Sequence, residues 1–199
     1  MGVEPKTRES ILSAAKAALL DGGYARLSTR RIAEAAGVPL SQIHYHFGSK
    51  SNLVLEVLEE ENRRLLQRQE MMYGQEMPLW KRWEQACDFL DDDLESGYVR
   101  VLQEMAAAGW SDEEVAEAVR DDLRGWFALL EQVAAEAAEQ LGGLGPCTPT
   151  EVGVLVGAAF LGMETLILLG FDEGDLPMRS ALRKVGHVIR RLEEGEDAG

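Results

Sequence analysis

An all-α chain of about nine helices, divided into a small N-terminal head and a larger helical body, is what this sequence predicts, and three observations carry the expectation. Apolar residues recur at helical spacing in successive segments from residue 7 to residue 192, and no run alternates as a half-buried strand would. Between Leu27 and Leu53, in LSTRRIAEAAGVPLSQIHYHFGSKSNL, two short apolar stripes flank a glycine, the pattern of two helices joined by a tight turn. The charge changes sign at the same place. Up to residue 50, Lys6, Arg8, Lys16, Arg26, Arg30, Arg31 and Lys50 face Glu4, Glu9, Asp21 and Glu34, about +3, which leaves about −18 for the remainder of a chain whose formal net charge is −15. A head over residues 1–50 and a body over residues 51–199 follow. The 199 residues, 46% hydrophobic and 28% charged, are ordinary globular material for such a division.

The first helix, Thr7 to Leu20, sets Ile11, Leu12, Ala15, Ala18 and Leu19 on one side, and Asp21, Gly22 and Gly23 end it. It is expected to carry the next two helices on that side. Ile32, Ala33 and Ala36 form the stripe of the second, Gly37 supplies the left-handed residue that stops it, and Val38 and Pro39 make the turn. The third, Leu40 to His46, directs Ile43 and Phe47 inward and leaves Ser41, Gln42, His44, Tyr45 and His46 as a polar surface. Ser49 opens a long fourth helix that runs without a flexible linker through Leu53, Val54, Val57, Leu58, Leu65 and Leu66 to about Tyr73, and Gly74 to Pro78 breaks the pattern. Leu79 to Leu94 and Tyr98 to Ala108 follow, parted by Glu95, Ser96 and Gly97. Ser111, Asp112 and Glu113 open another long helix reaching Leu141, with Ser111 and Glu114 at the spacing of a capping box. GGLGPCTP, residues 142–149, is the clearest loop; Thr150 to Leu169 is an apolar helix, and Leu176 to Leu192 is the last before an acidic tail.

The second and third helices read as a helix-turn-helix, whose second member enters the DNA major groove. Thr29 stands at the start of the first of them, where a hydroxyl and free backbone amides suit a phosphate oxygen. Lys50 brings a cation to the amide-rich start of the fourth helix, and Gln42 and Tyr45 can donate to phosphates or base edges. Base discrimination is therefore expected from Arg30, Leu40, Ser41, Gln42 and Tyr45, and phosphate positioning from Thr29, His44 and Lys50. His46, beside Phe47, is either a DNA contact or a packed residue.

Through Thr29, Ile32, Ala33, Ala36, Gly37, Val38, Tyr45, His46, Phe47 and Lys50, the first 55 or so residues resemble the tetracycline-repressor (TetR) family of bacterial transcription regulators. Beyond them only length and helical character agree. The resemblance implies a DNA-binding head and a C-terminal domain that binds a ligand and forms dimers. It also implies that the first of two aromatic residues before His-Phe touches a backbone phosphate, a position that His44 occupies in this chain.

Other chemistry finds little footing. Asp91, Asp92 and Asp93 point in different directions on a helix and lie in no calcium loop, so a solvated acidic face is expected. His44 and His46 face different sides of their helix with no partner at metal spacing, and His187 stands alone, so no metal is expected. No serine elbow, phosphate loop or dinucleotide fingerprint occurs; the chain reads as a non-enzyme without a cofactor. Cys87 and Cys147 read as reduced thiols, and MGVEPKTRES lacks the apolar core of a signal peptide, so a cytoplasmic protein is expected. Val152 to Phe171 contains Glu164 and four glycines between acidic flanks, which favours a buried helix over a membrane span.

Two apolar stripes mark the end of the body, Val152, Leu155, Val156, Ala159, Phe160, Met163, Leu166 and Ile167 on one helix and Leu182, Val185, Val188, Ile189 and Leu192 on the next. Gly153, Gly157 and Gly162 permit close helix approach. Either the stripes complete the core of one chain or they join two. A homodimer through Leu155, Ala159, Leu166, Ile167, Leu182, Val185, Val188 and Ile189 is expected, because one recognition helix reads only a few base pairs. Trp80, Trp83, Met105, Trp110, Trp126, Phe127, Phe160, Met163 and Glu164, with Met71 and Met72 nearby in sequence, suggest an apolar effector pocket where the family encloses a ligand. Core packing of the aromatics, with Glu164 reaching an arginine across the dimer, is the alternative. The whole reads as a regulator of double-stranded DNA, a repressor on a palindromic operator released by a small hydrophobic effector. An activator, an architectural DNA-binding protein without an effector, and a helical module that binds no DNA are the other readings.

Overall fold

Helix boundaries in this chain are set by left-handed glycines and by short side-chain caps. Gly37, at φ 68° and ψ 30°, is the left-handed residue after Ala36, and its N–H donates back to Glu34 O at 3.2 Å. Ser49 Oγ accepts from the Asn52 N–H at 3.0 Å and so starts the long helix that follows. The structure is a computed structural model, describing residues 3–73 and 76–195. Among the described residues it forms nine α-helices, one 3₁₀ turn and no strand: α1 Val3–Gly22, the 3₁₀ turn Tyr24–Arg26, α2 Thr29–Ala36, α3 Leu40–Phe47, α4 Lys50–Tyr73, α5 Leu79–Ser96, α6 Tyr98–Gly109, α7 Glu113–Leu141, α8 Pro149–Leu168 and α9 Met178–Glu193. Gly74 and Gln75 of the expected break, the side chain of Met72 and tail residues 196–199 lie outside the described residues.

Two caps differ from expectation. Helix α7 begins at Glu113, so Asp112 rather than Ser111 holds the capping position, and its carboxylate accepts from the N–H groups of Glu114 and Val115 at 3.2 and 3.4 Å. At α8, Thr148 and Glu151 form a reciprocal capping box, which moves the helix start back to Pro149 inside the expected loop.

The chain divides into two compact units, residues 1–65 with 97–122 and residues 66–96 with 123–199. In the first, α1 packs on α2 and α6, and α2 on α3. Ile11, Leu19, Ile32, Ile43, Phe47, Leu53 and Leu58 are buried there, each worth about 1.5–3 kcal/mol. Met105 of α6 is fully buried in the same unit.

In the second unit α5 packs on α9 and α8. Cys87, Leu90, Phe160 and Leu182 form its core, with Trp83, Trp126, Val156 and Met163 packed against them. Trp83 Nε1 donates to Leu182 O at 2.6 Å, and Glu193 accepts from the N–H groups of Leu79 and Trp80 at 2.8 and 3.0 Å, joining the end of α9 to the start of α5. Of the three aspartates only Asp92 is exposed as expected: Asp91 pairs with Arg179 at 2.6 Å and Asp93 is buried against Arg68 at 2.6 Å, while the nearby Asp88 pairs with Arg183 at 2.7 Å. Arg82 reaches Glu136 of α7 at 2.7 Å. Gly153 and Gly157 do serve close approach, but to α7 of the same chain, where a Cβ on Gly157 would stand 2.3 Å from the Phe127 ring.

Helix α8 departs furthest from expectation. It is long and apolar enough, by length and composition, to cross a membrane, yet only 22% of its apolar window is buried in this chain. It is not a buried helix. Gly153, Gly157, Phe160 and Glu164 face inward, whereas Val154, Leu155, Ala158, Ala159, Gly162, Leu168 and Leu169 are exposed.

Gly97, between α5 and α6, has φ 80°, and a Cβ there would lie 2.7 and 2.8 Å from the Leu20 methyl groups of α1. Gly97→Ala should therefore cost about 1–3 kcal/mol through backbone strain and a displaced Leu20. A denaturant midpoint equal to wild type would show that α1 and α6 tolerate separation at this point.

Candidate nucleic-acid interface

Helix α3 is anchored by Ile43 and Phe47, both buried, while Ser41, His44 and Tyr45 are exposed, Tyr45 at 71%. Burial of two residues one turn apart fixes which side of an eight-residue helix remains free. Leu40 is also exposed, and Gln42 is half-buried. His46 is half-buried and turns Nε2 inward, where that atom has no hydrogen-bond partner, with its ring edge-on to Tyr45 at 5.0 Å. Only part of it faces solvent. The His44 ring lies with Nδ1 3.3 Å from Gly48 O.

Thr29 is the first residue of α2 and half-buried; Arg30 is exposed, with a long 3.5 Å pair to Glu34 that contributes little at such exposure. Lys50, at the start of α4 as expected, has partners within the chain. Its Nζ lies 4.2 Å from the centre of the Tyr24 ring and donates to Tyr24 O at 3.4 Å. Tyr24 in turn donates its N–H to Glu104 Oε2 at 3.0 Å, and its hydroxyl is 3.3 Å from Ser51 Oγ. Lys50, Tyr24 and Glu104 thus form one polar chain from the start of α4 to α6 within the first unit. Tyr24 and Glu104 gave no sequence signal for this, because a 3₁₀ turn has no periodicity and the pair is 80 residues apart.

The residues expected around an effector separate. Trp83, Trp126, Phe160 and Met163 meet in the core cluster of the second unit, and the Phe127 ring centre lies 5.5 Å from that of Trp126. Trp80 stands outside that cluster, with Lys81 and Arg190 over its ring at 5.4 and 5.1 Å. Met105 and Trp110 belong to the other unit, where Trp110 is 88% exposed, so neither joins the cluster. The expected dimer residues separate too. Leu155, Ala159, Val185 and Val188 are exposed and Leu166, Ile167 and Ile189 half-buried. Leu182 is corrected: at 3% exposure it is core of its own chain, since the α9 face that carries it packs on α5.

Glu164 is the chemically unusual residue. It is 9% exposed, one turn after Phe160 on the inward side of α8, and its Oε2 has no hydrogen-bond partner. Burial, reinforced by the negative charge of Asp93, pushes its carboxyl up to about 8. Burial likewise pushes the Cys87 thiol up to about 11, which keeps it protonated and inert. Asp122 is raised by burial against its hydrogen bond from Asn62.

A carboxyl raised from 4.5 to about 8 in the folded state favours the native fold only while it is protonated. Its contribution is intact below pH 4.5 and is lost as pH rises towards 8. Glu164→Gln should therefore be increasingly more stable than wild type from pH 5 to 9, by on the order of a few kcal/mol at the upper end. Paired denaturant titrations check this, and a stability difference that stays constant with pH would refute it.

Residues 11–57 match the family described as bacterial regulatory proteins, tetR family. No curated protein matches the chain. Its fold is similar to that of the TetR-family transcriptional regulator from Agrobacterium tumefaciens, at a TM-score of 0.78 and 18% identity, covering 94% of this chain and 98% of that one. A TetR-family regulator from Rhodococcus sp. aligns at 0.77 and 20% identity over 92% and 98% of the two chains. A transcriptional regulator from Saccharomonospora viridis, solved in complex with choline, aligns at 0.77 and 20% identity over 89% and 93%. The chain has the fold of the TetR-family transcriptional regulators, and within it residues 11–57 match the model of the bacterial regulatory proteins, tetR family.

Proposed function

We propose that the protein is a homodimeric repressor that binds a palindromic operator in double-stranded DNA and is released by a small, mainly hydrophobic effector held in its second unit. The observation that carries the DNA reading is α3, a short helix pinned by Ile43 and Phe47 with Ser41, His44 and Tyr45 standing free. Arg30, Leu40, Ser41, Gln42 and Tyr45 read base edges, while Thr29, His44 and Lys50 hold phosphates, with Lys50 leaving Tyr24 to do so. His46 contributes at most through the part of its ring that faces solvent. No catalytic step is assigned to the chain.

Dimerisation is supported by the uncovered apolar sides of α8 and α9. Val154, Leu155, Leu168 and Leu169 on one and Val185, Val188 and Leu192 on the other are exposed, more apolar surface than a single chain ordinarily leaves to water. A second copy covers it by symmetry and brings two α3 helices to the half-sites of an inverted repeat. With that cover α8 needs no lipid, and the protein acts in the cytoplasm. The effector reading rests on the Trp83, Trp126, Phe160 and Met163 cluster, adaptable side chains around an apolar interior. The choline complex of the Saccharomonospora viridis protein supports it by likeness of fold.

Two substitutions test the reading. Lys50→Ala should weaken operator and non-operator DNA together and flatten the logarithmic salt dependence by about 0.9, one phosphate contact. A changed sequence preference with an unchanged slope would remove Lys50 from the phosphate set. Val188→Glu should give monomers at micromolar concentration in sedimentation equilibrium, with helical content retained and affinity for an inverted repeat reduced at least tenfold. A wild-type protein that sediments as a monomer would defeat the dimer.

A further inference from the structure

The second unit buries two carboxyl groups, Asp93 and Glu164, and a guanidinium pairs with one of them. Asp93 of α5 holds that guanidinium, since Arg68 Nη2 donates to it at 2.6 Å while the Arg68 head lies 4.2 Å from the centre of the Phe89 ring. Glu164 of α8 is left over, nine-tenths buried, with Oε2 unpartnered and Asp93 the neighbouring charge that acts on it. Gln69, the residue after Arg68, is also buried and has an unpartnered Oε1. Arg68 Nε lacks a partner as well, but its charge is already opposed by Asp93. What this interior lacks is one positive charge with N–H donors. A buried carboxylate is retained at high cost unless something pairs with it.

We propose that Glu164, with Asp93 beside it, anchors the ammonium group of an organic amine whose apolar body lies against Trp83, Trp126, Phe160 and Met163. The inference rests on the reading that the second unit holds the effector, and it names that effector's class. Four features of the chemistry select an amine. Among the described residues no group of three or more His, Cys, Asp or Glu side chains could hold a metal ion, so a bare divalent cation finds too few ligands. An anionic ligand would face two carboxylates against one guanidinium that is already paired. A neutral ligand would leave Glu164 protonated and gain no ion pair from it. An ammonium group donates to the unpartnered Glu164 Oε2, and tryptophan and phenylalanine faces attract it. The carboxyl, raised to about 8 by its burial, is protonated at neutral pH until such a cation arrives and gives the ionised form a partner.

The test uses the full-length protein, three probes of equal chain length (n-octylamine, n-octanol and octanoate), and tryptophan fluorescence with calorimetry as readouts. Octylamine should bind at least tenfold more tightly than octanol, and octanoate should bind least. In Glu164→Gln the preference for octylamine over octanol should fall to within about twofold, while Glu164→Asp keeps part of it. Operator release by octylamine is followed in the same wild-type samples. Equal binding of octylamine and octanol, or a preference that survives in Glu164→Gln, overturns the amine assignment and leaves an apolar effector standing. Absence of binding by all three probes overturns it too. Amine binding with no operator binding at any ligand concentration upholds the site and sinks the regulator reading instead.

Discussion

Helix α8 imposes the main constraint on this chain, because it is apolar on every side and its own chain covers only one of them. The covered side is built for contact with α7: Gly153 lets the backbones come close, Gly157 makes room for the Phe127 ring, and Phe160 packs in the cluster with Trp83 and Trp126. The other side ends in exposed Leu155, Ala159 and Leu169, and α9 adds Val185, Val188 and Leu192. Roughly 25 cal/mol per Å² favours removing such surface from water. On the proposed reading a second chain removes it, and the charged pairs Asp88–Arg183 and Asp91–Arg179 hold α9 on α5 so that the uncovered side of α9 stays in register for that partner.

The same helix carries a carboxyl, Glu164, that its apolar surroundings do not satisfy. Glu164 follows Phe160 by a turn, so any rotation of α8 that improved its solvation would pull the phenyl ring from Trp83. Packing therefore holds the carboxyl in place against its hydration, which is how it comes to be raised to about 8 without a cation of its own. Within the first unit, the tie from Lys50 through Tyr24 to Glu104 has a comparable logic. Lys50 rests on a ring face and a carbonyl, partners weak enough for a phosphate to displace, and the Tyr24 N–H fastened to Glu104 keeps that resting place fixed to α6.

Much of the fold was legible because it rests on local signals. Gly37 sits at φ 68° where the stripe of Ile32 and Ala33 required a stop, and the periodic runs locate every helix to within a few residues. Legibility failed where distance in sequence decides. Ser111 and Asp112 are both good caps, and only the helix start at Glu113 chooses between them. Asp93 reads as solvated within a run of three, although it falls three residues after Leu90 on the stripe that packs inward, a signal available but outweighed by composition. Trp110 and Met105 share the aromatic and methionine character of the cluster but belong to the other unit, which no periodicity reveals. Leu182 carries the same spacing as Val185 and Val188, yet a helix with two apolar edges divides them between core and surface.

Charge completes the logic of the proposed function. The head carries about +3 and the rest of the chain about −18, so attraction to DNA is confined to the segment that contains α2 and α3. An acidic remainder weakens non-specific association more than it weakens docking through α3, because a misplaced chain brings repulsion within a Debye length of the duplex, about 8 Å at physiological salt. On the proposed reading, the negative surface that disfavours misplaced docking on DNA also raises the local concentration of cations around the second unit. An ammonium ligand would approach an acidic body and end at the unpartnered carboxyl of Glu164, which it would ionise, whereas an anion would be opposed at both stages.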